Sequence, residues 1–593
     1  MKRKELRKKI FEVVSKNGGH LSSNLGVVEA TIAMTSVFGE DDDIVWDVGH
    51  QSYAFKILTG RLDKIDTIRT KGGLSGFTSP EESVRDKFKS GHSSNSISLG
   101  LGLSEGKLKF GKQGKVIVFI GDGAMTGGLA YEGLNNCIDA SNLIVILNDN
   151  SMSISKNVGG ISKYLSKIRT HNAYIRAKKL AKGCLDSIPF VGRRIDSFIS
   201  SITFNLRKML LHNSTIFENL GFRYYGPVDG HNILEMIKVF KVCKQTSRPV
   251  FIHIITKKGK GYDLAEKDPS KFHGVSGLSF SENDKKSDKK KSASFSSVFG
   301  DCICDISEKN DKVYAITAAM KDGTGLEKFS KKFPERFKDV GIAESHAVTF
   351  SGGLFAGGFI PVFVVYSTFL QRSFDQLVHD VSMQNFKLVL CIDRAGLVGP
   401  DGESHQGIFD VSMLNSIPNV ICYSPTYFDE VKFYLNLAIE SEHKGIISIR
   451  YPKGEEGFKP SFLNENYNDF DFYGTNKETL IVTYGRLFSF SSKILSNFPD
   501  QVSLLKLNMI IPINKEAVDL SCKYKNIFFF EESYKNGSVS ERFACMLLSR
   551  NFNGNYKNIC INGFIKHATV KEQLIDCGLD YESMIKTIGI RKN

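Results

Sequence analysis

Short runs of branched and aromatic residues recur along this chain, and several stop abruptly in glycine, aspartate or asparagine. VIVFI at 116–120 gives way to Gly-Asp-Gly, and LIVIL at 143–147 to Asn-Asp-Asn. An unbroken apolar run bounded by turn formers marks a strand buried on both faces. Related runs, IVWDVG and VFIHIITKKG, lie in the same part of the chain with longer helix-like segments between them. That alternation predicts a parallel sheet with crossover helices. The rhythm restarts after SENDKKSDKKKS at 281–292, a Lys/Asp/Ser stretch that cannot build a core and reads as a linker. A second block carries VYAITAAM, IPVFVVYS, LVLCIDRAG and GIISIRYP; the chain then turns polar and aromatic through FLNENYNDFDFY at 462–473, and a third block opens with ETLIVTYGR. The expected fold class is α/β, in three domains with parallel or mixed sheets flanked by helices, bounded at 1–290, 291–466 and 467–593.

Composition narrows the classes that remain. At 593 residues the chain is too long for one core, and 41% hydrophobic with 24% charged residues excludes wholesale disorder or a fibrous repeat. No stretch approaches the roughly 20 apolar residues of a membrane span. The opening MKRKELRKKIFEVV has too short a greasy segment for a signal peptide, so a cytoplasmic location is expected. Eleven cysteines, scattered apart from Cys302 and Cys304, fit reduced thiols better than a disulfide framework or a zinc site. The formal charge of +14 invites a nucleic-acid reading. Its distribution argues otherwise, because residues 161–210 alone hold eleven Lys or Arg against two Asp. A charge run of this kind is a solvated face or a flap, and no nucleic-acid-binding motif accompanies it. Neither nucleic acid nor membrane is an expected partner.

The two interrupted runs carry the first chemical signal. Ligands of an open parallel sheet bind at the carboxyl ends of its strands. Asp122 offers a carboxylate there and Asn150 an amide carbonyl, hard oxygen donors that suit Mg²⁺ together with substrate phosphates. Gly121, Gly123, Gly127 and Gly128 let the backbone approach a phosphate, and a helix predicted to start near Thr126 would aim its positive end at it. Turn chemistry alone also yields GDG and NDN. Two strand ends with a helix-sized segment between them favour a magnesium diphosphate cradle.

This constellation resembles the thiamine diphosphate motif, in which the Asp, the Asn and a main-chain carbonyl two residues on, here Met152, hold the metal. Other stretches are similar to the 1-deoxy-D-xylulose-5-phosphate synthase family: GGHLSSNLG, WDVGHQSYAFKILTGR, GHSSNSISLGLG, GPVDGH, TKKGKGY, EKDPSKFHGV, AESHAVTFSGG, YSTFLQRSFDQ, IDRAG, DGESHQGIFD and RYPKG. The resemblance runs in order from about Glu5 to the C-terminus. It implies a transketolase-like fold, thiamine diphosphate and Mg²⁺ as cofactors, and a homodimer. The first domain would bind the diphosphate, the second the pyrimidine and the acceptor phosphate, and the third would be the C-terminal transketolase-like domain. The implied reaction joins pyruvate to glyceraldehyde 3-phosphate with loss of CO₂. Its rivals are a transketolase-type two-carbon transfer, which needs a ketose phosphate donor and releases no CO₂, and a catalytically silent family member.

The resemblance also implies roles for individual residues. Glu344 is the acid that hydrogen-bonds N1′ of the aminopyrimidine, and Phe369 the aromatic face against that ring. The family usually reads AEQH where this chain has AESH, so Ser345 is a departure beside the acid. His20, His50, His273 and His405 are expected catalytic histidines in Gly- or Ser-rich loops, since imidazoles shuttle protons near neutral pH. His50, His92, Ser93, Ser94, Gly121, Gly123, Ala124, Asn150 and Lys258 are expected to contact the cofactor. Asp122, Asn150 and Met152 are the expected metal ligands. Arg394 and Arg450 are expected to clamp the acceptor phosphate, a role suited to planar guanidinium. Tyr366, Arg372, Asp401 and His405 complete the expected acceptor pocket.

Overall fold

The computed structural model describes residues 2–150, 152, 158–170, 215–275, 277, 293–464 and 466–591. Most of the basic stretch at 161–210 and the whole linker at 281–292 lie outside the described residues. The chain divides into two compact units: Met1–Asp66 with Phe77–Ser279, and Thr67–Gly76 with Phe280–Asn593.

The first unit is built on five strands: β1 (Asp43–Trp46), β2 (Val116–Gly121), β3 (Leu143–Asp149), β4 (Arg223–Asp229) and β5 (Val250–Ile255). They run in the order β1-β2-β3-β5-β4, with every pairing parallel. Alternate residues of a strand face opposite sides of the sheet. Ile117, Phe119, Ile144 and Ile146 therefore pack with Met34 and Phe240 on one side, while Val116, Val118, Leu143 and Val145 pack with Ile97 and Leu134 on the other. Both faces are covered, which is why the sequence shows unbroken apolar runs rather than alternation. The register pairs Gly121 with Asn148, so Asp122 and Asn150 leave the sheet at the same edge. The helix after GDG begins at Gly128, following a single 3₁₀ turn at Ala124–Thr126, slightly later than the sequence suggested.

The second unit holds two sheets. Strands β6 (Val313–Thr317), β7 (Phe337–Asp339), β8 (Ile360–Tyr366), β9 (Leu388–Asp393), β10 (Val420–Tyr423) and β11 (Ile446–Arg450) belong to the larger one. The chain continues through β12 (Phe470–Tyr473), β13 (Thr479–Thr483), β14 (Ser503–Leu507), β15 (Met509–Ile511), β16 (Asn526–Tyr534) and β17 (Asn555–Ile561). The orders are β15-β10-β11-β9-β8-β6-β7 and β12-β14-β13-β16-β17. Strand β15 comes from the third sequence block yet pairs antiparallel with β10 in the second sheet. Side chains of both sheets, among them Ile316, Phe363, Val482 and Leu505, share one buried core. The segments expected as second and third domains thus fall in one compact unit while keeping largely separate sheets. The polar aromatic stretch near residue 470 supplies the antiparallel edge strand β12. No described helix is long and apolar enough to cross a membrane.

Candidate active site

In the first unit the residues expected in the cradle lie at the carboxyl edge of β2 and β3. Asp122 is buried, its amide donating to the Asn148 carbonyl at 3.1 Å and its Oδ1 accepting from the Gly123 amide at 3.1 Å. Ser94 Oγ donates to the Ala124 carbonyl at 2.8 Å and so ties the GHSSNS loop to this turn. The Met152 amide donates to Asn150 Oδ1 at 3.2 Å. Lys258 is buried, and burial lowers its pKa to about 8 against the opposing pull of the Asp122 carboxylate. Asp122 offers a buried carboxylate, Asn150 an amide oxygen and Met152 a main-chain carbonyl, all oxygen donors, and the buried Lys258 ammonium near Asp122 can balance phosphate charge. These residues fit a hard divalent cation bound together with a diphosphate.

Three of the expected histidines meet in the same unit. The ring centroids of His20, His50 and His273 form a near-equilateral triangle, with separations of 5.3 Å (His20–His50), 5.5 Å (His50–His273) and 5.6 Å (His20–His273). Asn24 ties two corners of this triangle: its Nδ2 donates to the main-chain carbonyls of His20 and His50, at 2.7 Å each, while its Oδ1 accepts from the Tyr53 amide. Two loops distant in sequence are therefore pinned by one side chain. Burial, then the charge of Lys258 and the neighbouring imidazoles, holds the His273 pKa well below its ordinary value. His273 is neutral at physiological pH and can accept a proton or a hydrogen bond. His92 is half-buried at the start of the loop that buries Ser93 and Ser94. Asp47 fixes that loop, accepting from the Ser94 amide at 3.0 Å and from Ser96 Oγ at 2.6 Å.

The second unit gathers the remaining residues. Glu344 opens the helix Glu344–Ala356 and is buried, with Arg372 Nη1 at 3.4 Å from its Oε2. Burial raises the Glu344 pKa, and the Arg372 charge only partly opposes the shift. Ser345 donates to the Arg372 carbonyl at 2.9 Å, so the departure from AEQH docks the helix start onto the YSTFLQR segment. Phe369 lies edge-on to His405, with centroids 5.6 Å apart, and near-parallel to Tyr366 at 6.0 Å. The Arg394 guanidinium lies 3.7 Å from the Tyr366 ring centroid. Gly323 makes room for that tyrosine, since a Cβ there would stand 1.7 Å from its hydroxyl. Burial lowers the His405 pKa to about 4, so this imidazole is also neutral near pH 7.

A family model described as 1-deoxy-D-xylulose-5-phosphate synthase matches residues 2–256, and one described as the pyrimidine binding domain of transketolase matches residues 291–457. The 1-deoxy-D-xylulose-5-phosphate synthase of Clostridium tetani is 42% identical, covering 99% of this chain and 95% of the relative. Those of Natranaerobius thermophilus and Clostridium perfringens are 43% and 45% identical, each covering 91% of this chain and 87% of the relative. The chain belongs to the 1-deoxy-D-xylulose-5-phosphate synthase family.

Within that family framework the structure sets Arg450 apart from the other expected acceptor residues and places Lys453 and Arg69 beside Asp401. Arg450, expected in the phosphate clamp, is buried at 4% exposure as the last residue of β11. Its Nε donates to Asp410 Oδ2 at 2.7 Å and its Nη2 to the Glu532 carbonyl at 3.2 Å. Its Nε and Nη2 are thus bonded within the protein. Lys453, three residues on and past Pro452, reaches solvent and stands among Arg394, Asp401 and Arg69. Crowding by the protein, then the Arg394 charge, lowers its pKa. Arg69 arrives from the early segment Thr67–Gly76, which belongs to the second unit, and its Nη1 donates to Asp401 Oδ1 at 2.6 Å. Sequence reasoning missed Arg69 because nothing local distinguishes it from a surface arginine. The RYPKG motif did contain Lys453, but guanidinium chemistry favoured its neighbour.

Proposed function

We propose that this chain is a transferase that condenses pyruvate with D-glyceraldehyde 3-phosphate, releasing CO₂ and giving 1-deoxy-D-xylulose 5-phosphate for isoprenoid synthesis. One observation carries the reading: a chain matched to the synthases over 99% of its length keeps both the buried Asp122 and Lys258 pair and the buried acid Glu344. Thiamine diphosphate, when bound, supplies the nucleophilic carbon that adds to the pyruvate ketone and the electron sink for decarboxylation. Asp122, Asn150 and the Met152 carbonyl would hold Mg²⁺, and Lys258 would face the diphosphate. Glu344 would hydrogen-bond N1′, and burial, which raises its pKa, favours the protonated form that can share a proton with that nitrogen. His50 and His273 are suited to the pyruvate carboxylate and carbonyl, and His405 to the acceptor oxygen; the neutral imidazoles of His273 and His405 can both give and take protons. Arg394 and Lys453 would bind the acceptor phosphate beside Tyr366, with Asp401 held in place by Arg69. The same reading makes the protein a cytoplasmic homodimer, which light scattering in solution tests.

The deciding assay follows CO₂ from carboxyl-labelled pyruvate with and without glyceraldehyde 3-phosphate, and identifies the sugar product by mass spectrometry. Acceptor-stimulated release with formation of 1-deoxyxylulose 5-phosphate is expected. Turnover only with a ketose phosphate donor and no CO₂ would assign a two-carbon transfer instead.

A further inference from the structure

The GPVDGH motif ends in His231, a residue to which the reaction gives no part. Its surroundings are nonetheless tightly specified. The Lys257 amide donates to His231 Nε2 at 2.9 Å, and His231 Nδ1 lies 3.1 Å from Glu29 Oε2. An amide N–H can only donate, so Nε2 carries no proton and the ring is the neutral Nδ1–H tautomer, donating to Glu29. Glu29 is buried at 2% exposure and also receives both Arg7 nitrogens, Nη1 on Oε1 and Nη2 on Oε2, at 2.7 Å each. Burial alone would raise the Glu29 pKa, but the hydrogen bonds from His231 and Arg7 bring it down to about 2. Arg7 reaches further, its Nε donating to the Lys260 carbonyl at 2.8 Å. Three segments far apart in sequence thus converge on the loop TKKGKGY.

That loop has little freedom left. The Gly259 amide donates to the Ser22 carbonyl at 2.8 Å. Gly26 packs flush against it, since a Cβ there would stand 3.1 Å from the Lys257 carbonyl oxygen and 3.3 Å from Lys258 Cα. The residue displayed by the loop is Lys258, the buried ammonium beside Asp122.

We propose that His231 is a positioning residue for Lys258: the unprotonated Nε2 of its fixed neutral tautomer holds the Lys257 amide and so aims the lysine at the diphosphate cradle. The proposal rests on the reading of Lys258 as a diphosphate contact. Groups that orient the direct contacts of a bound ion typically contribute roughly 10–100-fold to affinity.

Two variants separate loop positioning from general stability. His231→Asn keeps a donor toward Glu29 but ends short of the Lys257 amide. His231→Gln places an acceptor oxygen where Nε2 stands. Calorimetry of thiamine diphosphate binding with Mg²⁺ is expected to show roughly tenfold or greater weakening in His231→Asn and recovery in His231→Gln. Hydrogen exchange on the unloaded protein, read at the Lys257 amide, is expected to speed up in His231→Asn and not in His231→Gln. Wild-type exchange at that amide in His231→Asn, or equal losses in the two variants, would overturn the proposal. Lys258→Ala is the control on the underlying reading: undiminished cofactor affinity in that variant would remove Lys258 from the cradle, while the exchange data would still decide whether His231 sets the loop.

Discussion

Replacing Lys453 and Arg450 separately by alanine puts the proposed acceptor pocket to its most direct test. If Lys453 binds the acceptor phosphate, its loss removes a charge-assisted contact of about 1.5–3 kcal/mol, or roughly 10- to 150-fold in KM for glyceraldehyde 3-phosphate. The non-phosphorylated acceptor D-glyceraldehyde should be penalised far less, and the thermal midpoint should barely move because Lys453 reaches solvent. Arg450→Ala should behave in the opposite way. It strands Asp410, which is fully buried and ion-paired to Arg450 at 2.7 Å. Removing one partner of a buried pair destabilises by about 3–5 kcal/mol. A midpoint lower by several degrees is therefore expected, with both acceptors affected alike. Steady-state kinetics with the two aldehydes, run beside thermal melts, separate the outcomes. An Arg450→Ala protein that melts like wild type yet selectively loses the phosphorylated substrate would refute the reassignment and restore Arg450 to the clamp. Lys453→Arg should retain phosphate selectivity, since the guanidinium fork serves the same anion.

Three further outcomes follow from the buried carboxyls. Glu344→Gln should bind thiamine diphosphate nearly normally while slowing exchange of its C2 proton by about 10²–10⁴-fold; wild-type exchange by NMR would mean that another residue does the work. Asp122→Ala should abolish Mg²⁺-dependent cofactor binding in calorimetry, and unchanged affinity in the folded variant would exclude it as a metal ligand. Asp393 is fully buried beside Arg394, accepts from Ser296 Oγ at 2.7 Å, and is pushed up to about 6 by burial. A raised folded-state pKa means that the folded protein holds a proton which the unfolded chain gives up near pH 4. Wild-type stability should therefore fall as pH rises from about 4 to about 6, and Asp393→Asn, lacking that proton, should gain on wild type across the window. A stability difference independent of pH in denaturant melts would contradict this.

The sequence by itself determined the strands of the first sheet, the small and oxygen-rich ends of β2 and β3, and the family. These are local properties: a strand buried on both faces must be apolar throughout, and a phosphate cradle must be short of side chains just past it. The histidines were legible as loop residues, but their meeting was not, because His20 and His50 are joined through Asn24 and His273 meets Ser23, which the sequence marks only as polar residues of GGHLSSNLG. The third block looked self-contained, yet three of its residues complete the edge of another sheet, since pairing follows whichever edge is left open rather than chain order. The arginine and lysine of RYPKG could be told apart only by their partners. Arg450 ends a buried strand opposite Asp410, whereas Lys453 lies beyond the proline and reaches solvent. Arg69 and His231 act through Asp401 and Lys257, residues 332 and 26 positions away. Such contacts exist only once the chain has folded, because a side chain's charge and hydrogen-bonding capacity are written in the sequence while the group that satisfies them is chosen by packing.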